Sequence, residues 1–321
     1  MSLFASERGA IGMTDDAYAG QGATFHDPAM VPQILDLLQP QPGQVALDLT
    51  LGTAGHSCAL SEAVGPDGLL IGIDADPRTL PTAHERLTEL GACPFKLYAM
   101  PFSRAPEAVR SAGASRVDVA LADLGVGTHQ LDDPERGFGF ESKVRLDMRY
   151  DPDSHPSAWE VVNRAEEADL AEIFHRLGEE RYSRQIAARI CHERRQAPID
   201  TPAEFADLVK RVVARRSRPG RTWRIHPATR VMMALRIHVN REMDELEALL
   251  RMLPEMLNAS SRAAVLTYHS LEARRVKQAW RAQARAGLVE LLTSSPVRPT
   301  AEQVSRNPRI RSAQLRGIRR L

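Results

Sequence analysis

From Val45 to Val126, short apolar runs alternate with amphipathic segments. VALDLTLG (45–52), LLIGIDAD (69–76), FKLYAM (95–100) and VDVALADLGV (117–126) are strand-length and almost continuously apolar. A helical segment follows each of the first three, most clearly Arg78 to Leu90. Strands apolar on both faces, with helices between them, predict a parallel sheet covered on both sides. The class is α/β, doubly wound.

After Val126 the rhythm changes. Residues 127–156 are rich in Asp, Gly, Pro and Arg and predict a long structured loop, whereas 158–216 read as helices throughout. One helix, Glu166 to Leu177, stops at Gly178, a residue suited to the C′ position. Thr201-Pro202-Ala203-Glu204 forms a capping box with proline at the first helical position. The α/β pattern then returns. Ala228 to Leu257 has the spacing of one long helix, AAVLTYHSL (263–271) that of a buried strand, and 272–286 that of a helix. Two short strands are expected from Leu288 onward. A helical block therefore splits the sheet in sequence. The expected boundaries are 23–128 with 232–321 for the α/β domain, 129–231 for the inserted domain, and 1–22 for a loosely ordered extension.

Composition narrows the setting. The chain has 321 residues, 43% hydrophobic and 26% charged, which suits a globular protein with a sizeable core. Cys58, Cys93 and Cys191 are scattered, so a reduced, cytoplasmic compartment is expected, with no disulfide framework and no metal site. No apolar stretch reaches the ~20 residues of a spanning helix, and the N-terminus lacks the pattern of a secretory signal. No membrane partner is expected. The net charge of +1 conceals segregation: Lys210 to Arg230 holds eight basic residues and no acids, and Arg306 to Arg320 holds six arginines and no acids. Such stripes suit phosphate binding, and Trp223 within the first could stack a base. A solvated helix face is the alternative.

The turn Gly52-Thr53-Ala54-Gly55-His56-Ser57 links the first of these strands to a helix. Small residues there let a ligand approach the backbone and the free N–H groups of the helix start. Asp74 lies 22 residues after Gly52, at the end of the next strand, where a carboxylate can accept ribose hydroxyls or simply cap a helix. These two features fit NAD and S-adenosylmethionine equally. Asp123, ending the strand 117–126, is expected at the ligand crevice where strand order reverses. For holding an acceptor base, Asp123, Asn240, His269 and Ser270 are the candidates, with a structural role open for each. The loop holding Asp147 and Arg149 is expected to shape a base pocket.

Asp123-Leu124-Gly125-Val126, Gln130-Leu131-Asp132-Asp133, Glu135-Arg136-Gly137-Phe138, Leu146-Asp147-Met148-Arg149, Arg224-Ile225-His226-Pro227, Tyr268-His269-Ser270-Leu271-Glu272 and Asn307-Pro308-Arg309 together resemble the bacterial RsmH/MraW family. The resemblance runs in order from about Phe25 to Arg316. It implies a class I, Rossmann-like, seven-stranded methyltransferase sheet interrupted by a mostly helical domain. It also implies methylation of the exocyclic N4 of a cytosine in small-subunit ribosomal RNA, with S-adenosylmethionine as cofactor. By position, the family's cofactor contacts fall on Ala54, Gly55, His56, Asp74, Phe102, Asp123 and Gln130. RNA contacts are expected among Asp147, Arg149, Arg221, Trp223, Arg224, Arg230, Arg309 and Arg311. The implied partner is small-subunit RNA within an assembled or assembling subunit; the oligomeric state is open, a homodimer being one option. Ala54 stands where the family has glycine, Gly127-Thr128-His129 where it has Ser-Ser-Pro, Ala273 where it has an acid, and Gln314 where it has lysine. Competing readings are a methyltransferase with another acceptor, an NAD-dependent oxidoreductase, and a catalytically silent RNA-binding protein.

Overall fold

The computed structural model describes residues 4–5, 28–127, 130–131, 133–153, 156–216, 223 and 225–321. Two compact units result: residues 1–125 with 245–321, and residues 126–244.

The first unit is built on one sheet. Its strands are β1 (Phe4–Ala5), β2 (Val45–Asp48), β3 (Leu69–Asp74), β4 (Phe95–Ala99), β5 (Val117–Asp123), β6 (Leu257–Thr267), β7 (Val289–Leu291) and β8 (Gln314–Arg320), in the order β1-β4-β3-β2-β5-β6-β8-β7. β2 pairs in parallel with β3 and β5, β3 with β4, and β5 with β6, while β8 runs antiparallel between β6 and β7. Apart from β1, this is the expected seven-stranded sheet. Helices α1 (Val31–Leu38), α2 (Gly55–Val64), α3 (Leu80–Leu90) and α4 (Ala105–Ser111) accompany the first half, and α11 (Ser270–Arg285) and α12 (Ala301–Arg306) the second. The apolar strand runs bury Ala46, Leu70, Leu97, Val119, Leu121, Ala264 and Leu266 against Ile34, Leu38, Leu60, Val64 and Leu87 from the helices. Each buried Val, Leu or Ile side chain among these contributes ~1.5–3 kcal/mol relative to exposure.

Most of the 1–22 extension lies outside the described residues. Within it, Phe4 and Ala5 pair antiparallel with Leu97 and Lys96, adding a short strand that the sequence pattern does not announce.

The second unit is helical: α5 (Ala158–Arg164), α6 (Glu167–Arg176), α7 (Ser183–Glu193), α8 (Pro202–Arg216) and α9 (Thr229–Val239). Phe174, Ile186, Ile190, Phe205, Val209, Val231 and Leu235 form its core. The capping box at Thr201–Glu204 forms in both directions, Glu204 N–H to Thr201 Oγ1 (3.2 Å) and Thr201 N–H to the Glu204 carboxylate (3.1 Å). Gly178 has a reason beyond ending α6. A Cβ there would sit 2.7 Å from the Arg230 carbonyl oxygen and 2.8 Å from that of Phe174, so α6 and α9 approach through a gap only hydrogen fills.

Two element expectations need correcting. The long helix expected over 228–257 is two helices, α9 and α10 (Glu242–Met256), broken at Asn240-Arg241, where Arg241 takes φ 51°. α9 belongs to the helical unit, because Val231, Ala234, Leu235 and Val239 pack into its core; that unit therefore runs to Asp244, not 231. Likewise β6 ends at Thr267, since His269 caps α11 instead of extending the strand.

Candidate active site at the carboxyl edge of the sheet

β2 is flanked on both sides by parallel strands, so the connections leaving β2 and β5 part at their carboxyl ends and open a crevice. The turn after β2 forms one wall. Gly52 takes φ 50° and Ala54, the N-cap of α2, takes φ 64° with its methyl fully buried. Ala54 N–H closes the turn on the Leu51 carbonyl at 2.8 Å. The Asp74 carboxylate, from β3, accepts Gly52 N–H at 2.7 Å and Asp76 N–H at 2.8 Å. Asp74 thus holds the turn in place and retains further lone pairs for a ligand. Burial raises its pKa to about 7 despite those two hydrogen bonds.

Asp123 ends β5, and its N–H donates to Thr50 Oγ1 at 2.7 Å, tying β5 to the end of β2. Its Oδ2 lies 3.6 Å from His56 Nδ1. His56 Nε2 lies 2.8 Å from the Ala29 carbonyl, an acceptor only, so Nε2 carries a proton. The Tyr268 hydroxyl donates to the Asp123 carboxylate. Oδ1 of Asp123 is buried and meets no hydrogen-bond partner among the described residues. Burial pushes the Asp123 pKa up to about 6, with His56 and Tyr268 opposing the shift. Burial, then the neighbouring Asp123 charge, drives the Tyr268 phenol well above its usual range. Beneath them Asp48, 1% exposed, accepts from Ser57 Oγ (2.6 Å) and Thr50 N–H (3.1 Å), and burial raises its pKa.

Ala54, Gly55, His56, Asp74 and Asp123 therefore gather along one edge of the first unit. Phe102 opens the 3-10 turn Phe102–Arg104 that follows β4, half-buried, beside Ser103, whose N–H and hydroxyl both bind Glu245 at 3.0 Å. Gln130 belongs to the second unit, where it is buried and its Oε1 accepts Gly127 N–H at 2.9 Å. Tyr268, Asp48 and Thr50 escaped sequence reasoning. A charged residue inside the apolar run VALDL was the available signal for Asp48; Tyr268 had none beyond adjacency to His269.

Other candidates have structural employment. Asn240 Oδ1 accepts Tyr150 N–H (2.7 Å), and its Nδ2 donates to the carbonyls of Met148 (2.8 Å) and Arg236 (2.9 Å). Its amide makes its full set of hydrogen bonds here and clamps the loop where Met148 adopts φ 62°. His269 Nδ1 accepts Glu272 N–H as the cap of α11, and Ser270 is the first, exposed residue of that helix. Arg149 donates through Nε (2.9 Å) and a terminal nitrogen (2.8 Å) to Asp147, so the two form a paired unit. Trp223 packs partly buried against the helical core, which withdraws some of the face expected for base stacking. Arg230 is exposed and donates to the Glu179 carbonyl. Arg221 and Arg224 lie outside the described residues. In the tail, Arg306 pairs with Glu302, four residues earlier, and Arg319 with Glu290 on β7; Arg309 and Arg311 are exposed.

A parallel sheet with one reversed strand near its far edge, a tight turn after β2 and carboxylates ending β3 and β5 define a class I methyltransferase. Residues 23–321 match the model of the MraW methylase family, and the chain belongs to that family. Proteins named Ribosomal RNA small subunit methyltransferase H are similar over almost their full length. That of Syntrophotalea carbinolica is 41% identical and that of Trichlorobacter lovleyi 40%, each over 311 residues covering 92% of this chain and 98% of the relative. A solved rRNA methylase from Streptococcus thermophilus aligns at 10% identity and a TM-score of 0.40, covering 94% of this chain and 99% of its own. No helix among the described residues is long and apolar enough to cross a membrane.

Proposed function

We propose that this chain transfers the methyl group of S-adenosylmethionine to the exocyclic N4 of a cytosine in small-subunit ribosomal RNA. The observation that carries the reading is the 40–41% identity spanning both units, which ties the helical unit as well as the cofactor sheet to relatives named for that RNA.

The donor set of the sheet edge fits the cofactor. The unpartnered Oδ1 of Asp123 suits an ammonium or other N–H donor, and the spare lone pairs of Asp74 suit ribose hydroxyls. The backbone at Ala54, Gly55 and His56 opens α2, whose first N–H groups lack intrahelical acceptors and favour a carboxylate. Phe102 offers an aromatic face after β4, and Gln130 is assigned to the cofactor on the family resemblance alone. Bound S-adenosylmethionine supplies an electrophilic methyl group for in-line displacement. What the chain adds is placement and preorganised charge. Thr50, which accepts the Asp123 N–H, and Tyr268, beside the carboxylate, hold Asp123 in place, so little reorganisation is needed at the moment of transfer.

Exposed Arg230, Arg309 and Arg311, with Arg221 and Arg224, are assigned to RNA phosphates, and the paired Asp147 and Arg149 with Trp223 to the target nucleotide. The acceptor is RNA within an assembled or assembling subunit, and the site of action the cytoplasm. Mass spectrometry of ribosomal RNA from cells lacking the protein should show one N4-methylcytosine lost, restored by the wild type and not by Asp123→Ala. Calorimetry should show binding of S-adenosylhomocysteine; tight NADH binding in its place would sink the reading. Naked RNA compared with isolated subunits as acceptor tests the substrate form, and sedimentation tests a homodimer.

A further inference from the structure

A cavity of about 230 Å³ lies between α11 and strands β7 and β8, lined by Lys277, Trp280, Arg281, Thr293, Ser294 and Arg316 among others. Three of these side chains are cations and no lining residue is an acid. Gly317 packs on Leu37 of α1, so the neighbouring Arg316 points to the opposite sheet face, beneath α11.

Two nitrogens here are buried without a hydrogen-bond partner among the described residues: the indole Nε1 of Trp280, a residue 2% exposed, and Nε of Arg316. Leaving such donors unmet is unfavourable, more so for a charged group. Burial and the adjacent Arg281 hold the Arg316 pKa below the usual arginine range. The Thr293 hydroxyl accepts Gly317 N–H at 3.3 Å, which leaves its own proton to donate. Each of these polar side chains has an N–H or O–H to donate, and none is an acid. An oxyanion with several oxygens would satisfy them together.

We propose that this cavity is a phosphate-binding site that seats a backbone phosphate of the RNA substrate. The RNA source rests on the function proposed above; the phosphate chemistry does not. Arg316 pairs in register with Val265, and Val265 with Ala122, the residue before Asp123. At ~4.8 Å per strand, the Arg316 backbone lies roughly 10 Å across the sheet from that of Ala122. The volume equals about eight waters at ~30 Å³ each, enough for a phosphate with part of its ribose.

Lys277 and Arg281 are exposed on α11, so the double variant Lys277→Gln/Arg281→Gln keeps the fold. Short single-stranded RNA should bind this variant about tenfold more weakly than wild type, the scale of one lost charge-assisted hydrogen bond. The slope of log affinity against log salt should fall by about 0.7 per lost contact. Affinity for S-adenosylhomocysteine should not change. In parallel, inorganic phosphate is titrated against chloride at matched ionic strength, and should bind wild type more tightly than the variant. Phosphate binding lost in the variant with RNA binding intact would keep the phosphate chemistry and overturn the RNA assignment. Equal RNA affinity, equal salt slope and no phosphate binding would overturn the proposal altogether. Failure of the wild type itself to bind or methylate RNA would count against the proposed function, with the phosphate titration still deciding the cavity.

Discussion

Ala54 shows how a single methyl can be held between opposing forces. Its φ of 64° is a left-handed conformation that costs a non-glycine residue ~1–2 kcal/mol, yet its side chain is fully buried, contributing ~0.8 kcal/mol. The two nearly cancel. Ala54→Gly should therefore shift the melting temperature by no more than about 3 °C. Ala54→Val adds bulk and β-branching at the same φ and should destabilise by ~3 kcal/mol or more, seen as a large drop in melting temperature. Asp123 carries a related tension. Its folded pKa of about 6, like the value of about 7 for Asp74, lies above the unfolded carboxylate value, so the folded state binds more protons between about pH 4 and 7. Stability of the cofactor-free protein from these groups is full below pH 4 and is lost as pH rises through 6 and 7. Asp123→Asn should match or fall below wild type only below about pH 4 and exceed it by roughly 2 kcal/mol at pH 8, measured by urea unfolding. The same variant should lose affinity for S-adenosylhomocysteine, whose binding to wild type should strengthen from about pH 5.5 to 8. Improved stability without lost affinity would remove Asp123 from the cofactor site.

At the scale of elements, the strands flanking the crevice were legible because burial on both faces writes continuous apolar runs. β2 to β5 lie where those runs predict them, and the turn after β2 is where the small residues place it. Phe4–Ala5 was not legible, since two residues carry no period. The break between α9 and α10 was missed for another reason. Apolar spacing continues across Asn240-Arg241, while the cause of the break is tertiary: the Asn240 amide turns inward to meet the backbone of Met148 and Tyr150. The site divides in the same way. Gly52, Asp74 and Asp123 could be found from strand ends alone, whereas Tyr268 and Asp48 required knowing which strands adjoin. Asn240→Ala should cost ~2–3 kcal/mol, having removed three hydrogen bonds and left buried backbone groups unmet. Gly178→Ala meets two carbonyl oxygens at under 3 Å and should cost ~1–3 kcal/mol by forcing α6 and α9 apart. Both are read by thermal denaturation, and an unchanged transition in either would contradict the packing described.

At the scale of the whole molecule, the chain order matters more than the size of either unit. The sheet unit is discontinuous, since β6, β7 and β8 come after the helical segment and yet complete the sheet begun by β2 to β5. The helical unit is continuous from residue 126 to 244, with a core centred on Phe174 and Phe205, whose rings lie 6.4 Å apart. Its contacts are mostly between neighbouring helices, a topology that closes quickly and without long-range strand pairing. Residues 126–244 expressed alone should therefore be helical by circular dichroism and melt in one cooperative transition. Residues 1–125 alone should not, because β5 would present an open, apolar edge where β6 belongs. The informative comparison is a chain in which a short glycine–serine linker joins residue 125 to 245. If the two units fold as separate cores, this deletion retains S-adenosylhomocysteine binding and loses methyl transfer to RNA. Aggregation of the deletion together with a cooperative melt of 126–244 would mean that the sheet needs the insertion to fold, although the insertion does not need the sheet.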